Sequence, residues 1–200
     1  MSQVQRKTHA ERTDLSDRLM LEAAIKLIVE RGTDKTTLKE VGELAGYSRG
    51  LAGYRFGSKA GLFEFIVRSV GEQWLEDLKR VTKGKTGYSA ISAAIDEHCR
   101  FCLDASAPVR AFYILWFESI GVQSPVKDVI AGIHERRRRD LIEWVSASDY
   151  SGRIGASAIA GQFNAAVLGI AYHWLAYPDD AATIESLHHH LKLHMKMYFA

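Results

Sequence analysis

The last segment of the chain contains four histidines, and histidine is the side chain that binds metal ions most often. They are His188, His189, His190 and His194, with Glu185 three residues before the first of them. On a helix, His190 and His194 are one turn apart and could bind one ion. A helical di-iron site needs a Glu-x-x-His element from two helices, whereas this chain contains the element once. We therefore interpret the histidines as a polar or interface face and predict no metal; a small helical metal-binding protein or enzyme is the alternative.

A cysteine pair and an arginine run are explained better by structure than by chemistry. Cys99 and Cys102 have the spacing of half a zinc or redox site, but no second pair completes it, so we predict small core residues. The four arginines of residues 136–139 point to all sides of a helix, which predicts a solvated face with local ion pairs. A second nucleic-acid patch is the alternative. Because the sequence has no nucleophile elbow and no phosphate-binding loop, we predict no catalytic residue, no cofactor and no enzyme activity.

Aromatic side chains are dense in the middle of the chain and are candidates for an apolar ligand pocket. Four of them lie within residues 112–117. A small-molecule site is usually an apolar cavity with a few polar groups, although simple core packing is the alternative. The predicted ligand-binding residues are His98, Phe101, Phe112, Tyr113, Trp116 and Trp144.

The segment 44–63 is the candidate for contact with a polyanion. It contains the basic residues Arg49, Arg55 and Lys59 and no acidic residue. The whole chain has 26 basic and 24 acidic side chains, so its net charge of +2 does not by itself predict nucleic-acid binding. Residues 1–60 carry a net charge of +3 and the remainder carries −1. The excess is small, but it lies where phosphates would be met.

Two glycines within this segment, Gly50 and Gly53, favour close approach to another surface. Each costs about 1 kcal/mol relative to alanine inside a helix, so a purely structural helix has little reason to contain both. Without a side chain the backbone can approach a surface such as the floor of a DNA groove. A loosely packed connector is the alternative interpretation.

Two short helices place the basic and glycine residues. A capping box from Thr37 to Glu40 predicts the start of one helix, which Gly46 ends, and Ser48 is predicted to cap a second helix reaching about Phe56. Two short helices joined by a tight turn form a helix-turn-helix, in which the second helix enters the major groove of DNA.

The complete pattern predicts an all-α protein of about nine helices. Hydrophobic residues make up 47% and charged residues 25%, which is typical of a soluble protein with a core, and the chain has only three prolines. Residues 1–12 are predicted to form a mobile arm before a helix that Thr13 or Asp14 caps and Gly32 ends. Further helices are predicted over residues 59 to about 81, 89–104, 108–121, 125 to about 147, 154–177 and 178–200.

The segment 154–177 contains no charged side chain and is long enough to cross a bilayer. Its polar residues would be costly in hydrocarbon, so a helix buried on nearly all sides at a subunit interface is favoured over a membrane span. Small residues that would allow close approach of a partner helix are Ala158, Gly161, Ala165 and Gly169. Two cysteines are too few for a disulfide framework and residues 1–18 lack the apolar core of a signal peptide, so we expect a cytoplasmic setting without a membrane partner.

Residues 37–63 resemble the signature of the tetracycline-repressor (TetR) family of bacterial transcriptional regulators. The most specific part is the Phe-Gly-Ser-Lys step at residues 56–59, after the second short helix. The resemblance covers roughly residues 15–65, and beyond it only the nine-helix organisation and the total length match. It implies a DNA-binding domain over residues 1–57 and a ligand-binding and dimerisation domain over residues 58–200.

The resemblance also implies a role for each matching residue. The predicted DNA-binding residues are Thr37, Ser48, Arg49, Gly50, Leu51, Tyr54, Arg55 and Lys59. Those from 48 to 51 would face base edges, whereas Thr37 and Lys59 would bind the DNA backbone and Tyr54 would touch a phosphate or a thymine methyl. Gly53 and Arg55 depart from the commoner family pattern, which leaves the operator sequence open. Arginine can contact guanine through two hydrogen bonds, although Arg55 could equally bind phosphate.

The predicted function is that of a homodimeric repressor. It would bind a palindromic double-stranded DNA operator and be released by a small, largely apolar effector, while activation in place of repression stays open. The dimer would form through the uncharged helix and the last helix.

Overall fold

The computed structural model describes residues 8–104, 106–121 and 123–200, without the side chains of His9, Arg49 and Ser106. This part of the chain is all-α, with nine α-helices, one 3-10 turn and no strand, which confirms the predicted fold class. The helices are α1 (His9–Arg31), α2 (Leu38–Leu44), α3 (Arg49–Phe56), α4 (Lys59–Thr82), α5 (Gly87–Asp104), α6 (Ser106–Ser119), α7 (Pro125–Ser146), α8 (Ala156–Ala176) and α9 (Ala181–Lys196), followed by a 3-10 turn at Met197–Phe199. The chain forms two compact units, of which the first ends at Ile66 and the second starts at Val67.

The first helix starts earlier than predicted. Thr8 caps α1 through a capping box in which its hydroxyl accepts a hydrogen bond from the Glu11 amide at 3.2 Å. The predicted caps Thr13 and Asp14 are therefore wrong, because both lie inside the helix. Residues 9–12 of the predicted arm belong to α1, and residues 1–7 lie outside the described part of the chain. Gly32 ends α1 as predicted, at a φ of +80° that favours glycine.

The helix-turn-helix forms as the sequence indicates. The hydroxyl of Thr37 accepts a hydrogen bond from the Glu40 amide at 3.2 Å, and the Glu40 carboxylate accepts one from the Thr37 amide at 3.3 Å. Gly42 has a packing role that the sequence did not suggest, because a Cβ there would lie 3.1 Å from the Ser48 carbonyl oxygen. Ser48 occupies the N-cap position of α3 but makes no side-chain capping hydrogen bond, in contrast to the prediction.

The second unit is a helical bundle in which α5 packs against α7 and α9, and α8 packs against both of these. Its core consists of fully buried aliphatic side chains, among them Ile91, Ile95, Leu141, Ile159 and Ile184. The helices agree with the predicted segments to within a few residues. The last one starts at Ala181 rather than at Pro178, because the carboxylate of Asp180 caps it by accepting a hydrogen bond from the Thr183 amide at 3.1 Å.

The uncharged helix α8 has one buried and one exposed face. Ile159, Phe163, Val167 and Trp174 are buried, and the opposite face is exposed. A single chain buries only one face of α8, so the expectation that a second subunit covers the other face stays a prediction. Among the described residues, no helix combines the length and the apolar character needed to cross a bilayer.

Candidate nucleic-acid interface and ligand cavity

The exposed face of α3 is shaped by residues that do not pack inside the chain. Tyr54 is 89% exposed, and Gly50, one helical turn before it, is also exposed. Apart from the adjacent residues and the backbone of α3 itself, no described atom lies within 4 Å of a Cβ built at Gly50 or Gly53. At Gly61, by contrast, a Cβ would lie 2.2 Å from the Phe56 carbonyl oxygen. Internal packing therefore explains Gly61 and does not explain the glycines of α3.

Arg55, a predicted DNA-binding residue, is paired within the protein. Its Nε and Nη2 donate to the two carboxylate oxygens of Asp17 at 2.7 Å and 2.5 Å. These hydrogen bonds raise the pKa of Arg55 and link the last turn of α3 to α1. A contact of Arg55 with DNA would have to replace or share this ion pair.

The other predicted DNA-binding side chains differ in their exposure and in the contacts that they make within the protein. Lys59 Nζ donates to the Asp34 carbonyl oxygen at 3.2 Å and lies over the ring of Phe63. The hydroxyl of Thr37 is engaged in the capping box, Leu51 is half-buried and Ser48 is exposed. The backbone of Arg49 starts α3, but its side chain lies outside the described part, so its role stays a prediction.

A cavity in the second unit brings together five of the six predicted ligand-binding residues. The space that a water-sized sphere can occupy in it is about 30 Å³, and helices α4 to α7 contribute its walls. The predicted residues in its lining are His98, Phe101, Phe112, Tyr113 and Trp116. Trp144 does not line this cavity and instead borders a smaller space beside Leu141 and Phe163. Lining residues outside the predicted ligand-binding set are Val70, Gly71, Trp74, Val109, Ile133, His134 and Arg137.

Arg137 corrects the interpretation of the arginine run. Its neighbours Arg136 and Arg138 pair with Glu72 and Glu135, as expected for a solvated face. Arg137 itself is only 3% exposed, and its guanidinium lies 5.2 Å from the centre of the Trp74 ring. The apolar stripe of α7 explains this, because Arg137 follows Ile133 and precedes Leu141 at helical spacing.

A chain of buried hydrogen bonds connects α9, α5 and the cavity. His188 Nδ1 must donate to the Ile184 carbonyl oxygen, at 2.7 Å, because a carbonyl only accepts. His188 Nε2 then accepts from His98 Nδ1, and His98 Nε2 accepts from the Tyr113 hydroxyl, both at 2.8 Å. Burial lowers the pKa of His188 and lowers that of His98 well below its ordinary value, which keeps both rings neutral. The hydrogen of the Tyr113 hydroxyl is therefore committed inside the protein.

The same histidines lie beside Cys102, and these three side chains are the nearest approach to a metal site in the described residues. Their potential ligand atoms lie within 4.8 Å of one another. Two nitrogens bound to one tetrahedral zinc ion would be about 3.3 Å apart, so the 2.8 Å between the imidazoles is that of a direct hydrogen bond. Burial also raises the pKa of Cys102 to about 12, so its thiol is neutral. These residues are satisfied as part of the core, and Cys102 is a small core residue as predicted.

The histidine cluster predicted on the last helix is divided. His188 points inward, whereas His189, His190 and His194 are exposed together with Glu185. The two residues of the Glu-x-x-His element are separated, because Glu185 is exposed and His188 is buried. This separation does not favour the alternative of a metal protein or enzyme built on α9. Exposed histidines instead border an apolar groove between α8 and α9 that also contains Gly169 and Ile170.

Comparison with known proteins identifies the helix-turn-helix. Residues 20–66 match the family model described as "Bacterial regulatory proteins, tetR family". Over 195 residues, and 95% of each chain, the protein is 26% identical to an uncharacterized HTH-type transcriptional regulator, YfiR, of Bacillus subtilis (strain 168).

Solved structures share the whole fold. A transcriptional regulator from Rhodococcus sp. Rha1 superposes with a TM-score of 0.78 at 21% identity, covering 92% of this chain and 95% of that one. AibR, solved in complex with isovaleryl coenzyme A and operator DNA, gives a TM-score of 0.71 at 19% identity, covering 88% and 96%. Residues 20–66 therefore match the model of the tetR family, and the chain as a whole shares its fold with solved transcriptional regulators.

Proposed function

We propose that this regulator binds a palindromic operator as a homodimer and represses transcription until a small, largely apolar ligand releases it. The observation that carries the DNA-binding part is the exposed surface of α3, where Gly50, Gly53 and Tyr54 have no internal packing role. A helix with an open backbone can enter the major groove closely, and the acid-free segment 44–63 does not repel phosphates.

The exposed face of α8 supports the homodimer. Ala158, Gly161, Ala165 and Gly169 are all exposed, and no charged residue interrupts the helix. An uncharged surface of small side chains is suited to close contact with a second copy. A two-fold dimer would hold its two recognition helices about 34–36 Å apart, or a multiple of that distance, and would require an operator with matching symmetry.

The cavity supports regulation by a ligand. Because a water-sized sphere can occupy only about 30 Å³ of it, a ligand larger than about two water molecules would have to displace some of the lining side chains. AibR, a similar structure, was solved with both an acyl coenzyme A and operator DNA. The ligand would release DNA only if it bound better to a conformation of the dimer that does not match the operator. Because a bacterial operator is in the cytoplasm, the protein would act there.

The function is tested by selecting bound sequences from random DNA with the full-length protein. We expect an inverted repeat, and a reporter gene placed behind it should be transcribed less when the protein is present. Arg49→Ala should weaken specific binding by about 1–3 kcal/mol if that side chain reads a base. Lys59→Ala should weaken binding to all DNA alike and flatten its dependence on salt. Failure to enrich any sequence, or increased transcription of the reporter, would contradict the repressor.

The dimer is tested separately. Ala165→Arg places a charge on the exposed face of α8 and should give a monomer by light scattering, with loss of operator binding. Arg153→Ala, an exposed change just before α8, is the matched control and should stay dimeric. If the Ala165→Arg variant remained a dimer, the interface would lie elsewhere.

A further inference from the structure

Arg137 is a buried cation to which the described part of the chain offers no anion. It is 3% exposed and lines the cavity, yet its guanidinium forms no ion pair with any described residue. The carboxylates of Glu72, Glu97 and Glu135 instead pair with Arg136, Arg100 and Arg138. The neighbouring Trp74 ring and the imidazole of His134 are both uncharged.

An enclosed charge without a counter-charge opposes folding. Burial lowers the pKa of Arg137, but a guanidinium remains protonated in proteins, so the charge cannot be removed by losing a proton. Burying an ion is expensive unless a partner of opposite charge and enough hydrogen bonds compensate for the loss of water. The compensation that the described residues do not supply is therefore a negative group with hydrogen-bond acceptors.

Two hydrogen-bond donors at this place lack acceptors. Arg137 Nη2 donates to His134 Nδ1 at 2.9 Å, and burial lowers the pKa of His134 to about 3, so the neutral ring carries its hydrogen on Nε2. Both His134 Nε2 and Arg137 Nε are buried and have no hydrogen-bond partner in the part of the chain that the structure describes. Tyr113, by contrast, already donates its only hydrogen to His98. The unsatisfied groups of Arg137 and His134 are both donors, as an anionic acceptor requires.

We propose that the ligand of this cavity is a small monocarboxylate with an aromatic or branched apolar body, whose carboxylate binds the guanidinium of Arg137. The inference rests on the proposed function only in taking this molecule to be the effector of the regulator. The apolar body would lie against the aromatic wall, where Trp116 packs on His134 with 3.9 Å between ring centres and Phe112 packs edge-on to Trp116. A neutral ligand would leave the guanidinium unpaired, and a cationic ligand would be repelled.

The proposal is tested with matched pairs of probes that differ in charge and hardly in shape. Phenylacetate is compared with phenylacetamide, and 4-methylpentanoate with 4-methylpentanamide. Binding to the full-length protein without DNA is followed by calorimetry and by the fluorescence of Trp74 and Trp116, which line the cavity. We expect at least one carboxylate to bind about tenfold or more tightly than its amide, because a hydrogen bond to a charged group is stronger than one between neutral groups.

Substitutions locate the preference at Arg137. Arg137→Met should abolish the difference between carboxylate and amide. Arg139→Met removes the same charge from the same helix at an exposed position and should leave the difference unchanged. If amides bound as well as carboxylates, if no carboxylate bound at millimolar concentration, or if both substitutions acted alike, the proposal would be overturned.

The melting temperature separates a ligand-binding role of Arg137 from a purely structural one. Without ligand, the Arg137→Met variant should have a melting temperature no lower than that of the unaltered protein, because replacing an uncompensated buried charge by an apolar side chain is often neutral or stabilising. Carboxylate should raise the melting temperature of the unaltered protein and not that of the variant. A variant that melts several degrees lower would assign Arg137 to the core and contradict the inference.

The selected operator distinguishes failure of this inference from failure of the proposed function. If the protein binds no DNA but still prefers carboxylates through Arg137, the proposed function fails and the inference stands. If the protein binds its operator and shows no carboxylate preference, the inference fails alone. When both hold, the carboxylate should weaken operator binding by the unaltered protein and not by the Arg137→Met variant.

Discussion

In α3, Gly50 and Gly53 leave a helix backbone open to solvent, whereas in the cavity Arg137 is enclosed by aromatic side chains. Both features lower the stability of the isolated chain, the first through helix propensity and the second through desolvation. They differ in what is absent, which is a side chain in α3 and a counter-charge in the cavity. An open backbone suits a broad, rigid surface such as a DNA groove, and an enclosed cation suits a small anion. Local choices that oppose folding are expected at functional sites, and here they indicate two different kinds of ligand.

Lowering the pH should have the largest effect on the free energy of unfolding, and that effect should come from the helices around the cavity rather than from α3. Burial lowers the pKa of His98, His188 and His134, the last to about 3, whereas an unfolded histidine titrates near 6.5. The unfolded chain therefore takes up protons first as the pH falls. The stability that neutral histidines contribute is present above about pH 6.5 and is lost below it, at up to about 1.4 kcal/mol per pH unit for each histidine.

Urea denaturation between pH 7 and pH 4.5 measures this loss. His98→Gln should reduce the slope of unfolding free energy against pH, whereas Gly50→Ala in α3 should not change it. Equal slopes for the unaltered protein, His98→Gln and Gly50→Ala would show that the buried histidines are not the source of the pH dependence.

Gly61→Ala should have the next largest effect, and it acts on the fold. The added Cβ would lie 2.2 Å from the Phe56 carbonyl oxygen, a backbone atom that cannot move aside cheaply. We expect a loss of about 1–3 kcal/mol in the free energy of unfolding, measured by urea denaturation. A smaller loss would mean that the turn between α3 and α4 adapts easily.

Gly50→Ala is the matched change at a glycine without internal contacts. Alanine should stabilise the fold by about 1 kcal/mol, because it raises helix propensity and nothing within 4 Å obstructs its Cβ. Binding to the selected operator should nevertheless weaken, as measured by fluorescence anisotropy. Unchanged affinity would remove the argument for close backbone approach, and reduced stability would show that Gly50 packs after all.

The pair between Arg55 and Asp17 should have the smallest effect on stability. The arginine side chain is partly exposed, so a double-mutant cycle with Arg55→Ala and Asp17→Asn should give a coupling of about 0.2–1 kcal/mol. The DNA measurement is more informative. If Arg55 contacts DNA, Arg55→Ala should weaken operator binding, whereas Asp17→Asn should maintain or strengthen it by releasing the arginine. Equal losses in the two variants would instead indicate that the pair only positions α3 on α1.

Much of the fold could be predicted because its signals are local. The capping box at Thr37 and the positive φ of Gly32, Gly46 and Gly57 depend on a few neighbouring residues, and they determine where helices start and end. The start of α1 was also available from the sequence, as the Thr-x-x-Glu pattern at residues 8–11. The apolar stripe of α1 starts several residues after this pattern and therefore predicts a start that is too late.

The candidate sites were predictable only in part, because they depend on which side chains meet. The types and spacing of residues 37–63 determined the helix-turn-helix and its family resemblance. Only the tertiary structure decided that Arg55 pairs with Asp17 and that Trp144 lies off the cavity, because those contacts join distant parts of the chain. Only it decided that one arginine of a run of four turns inward, without a counter-charge among the described residues. The sequence determines each residue's place on its own helix, whereas the charge balance around Arg137 is a sum over several helices packed together.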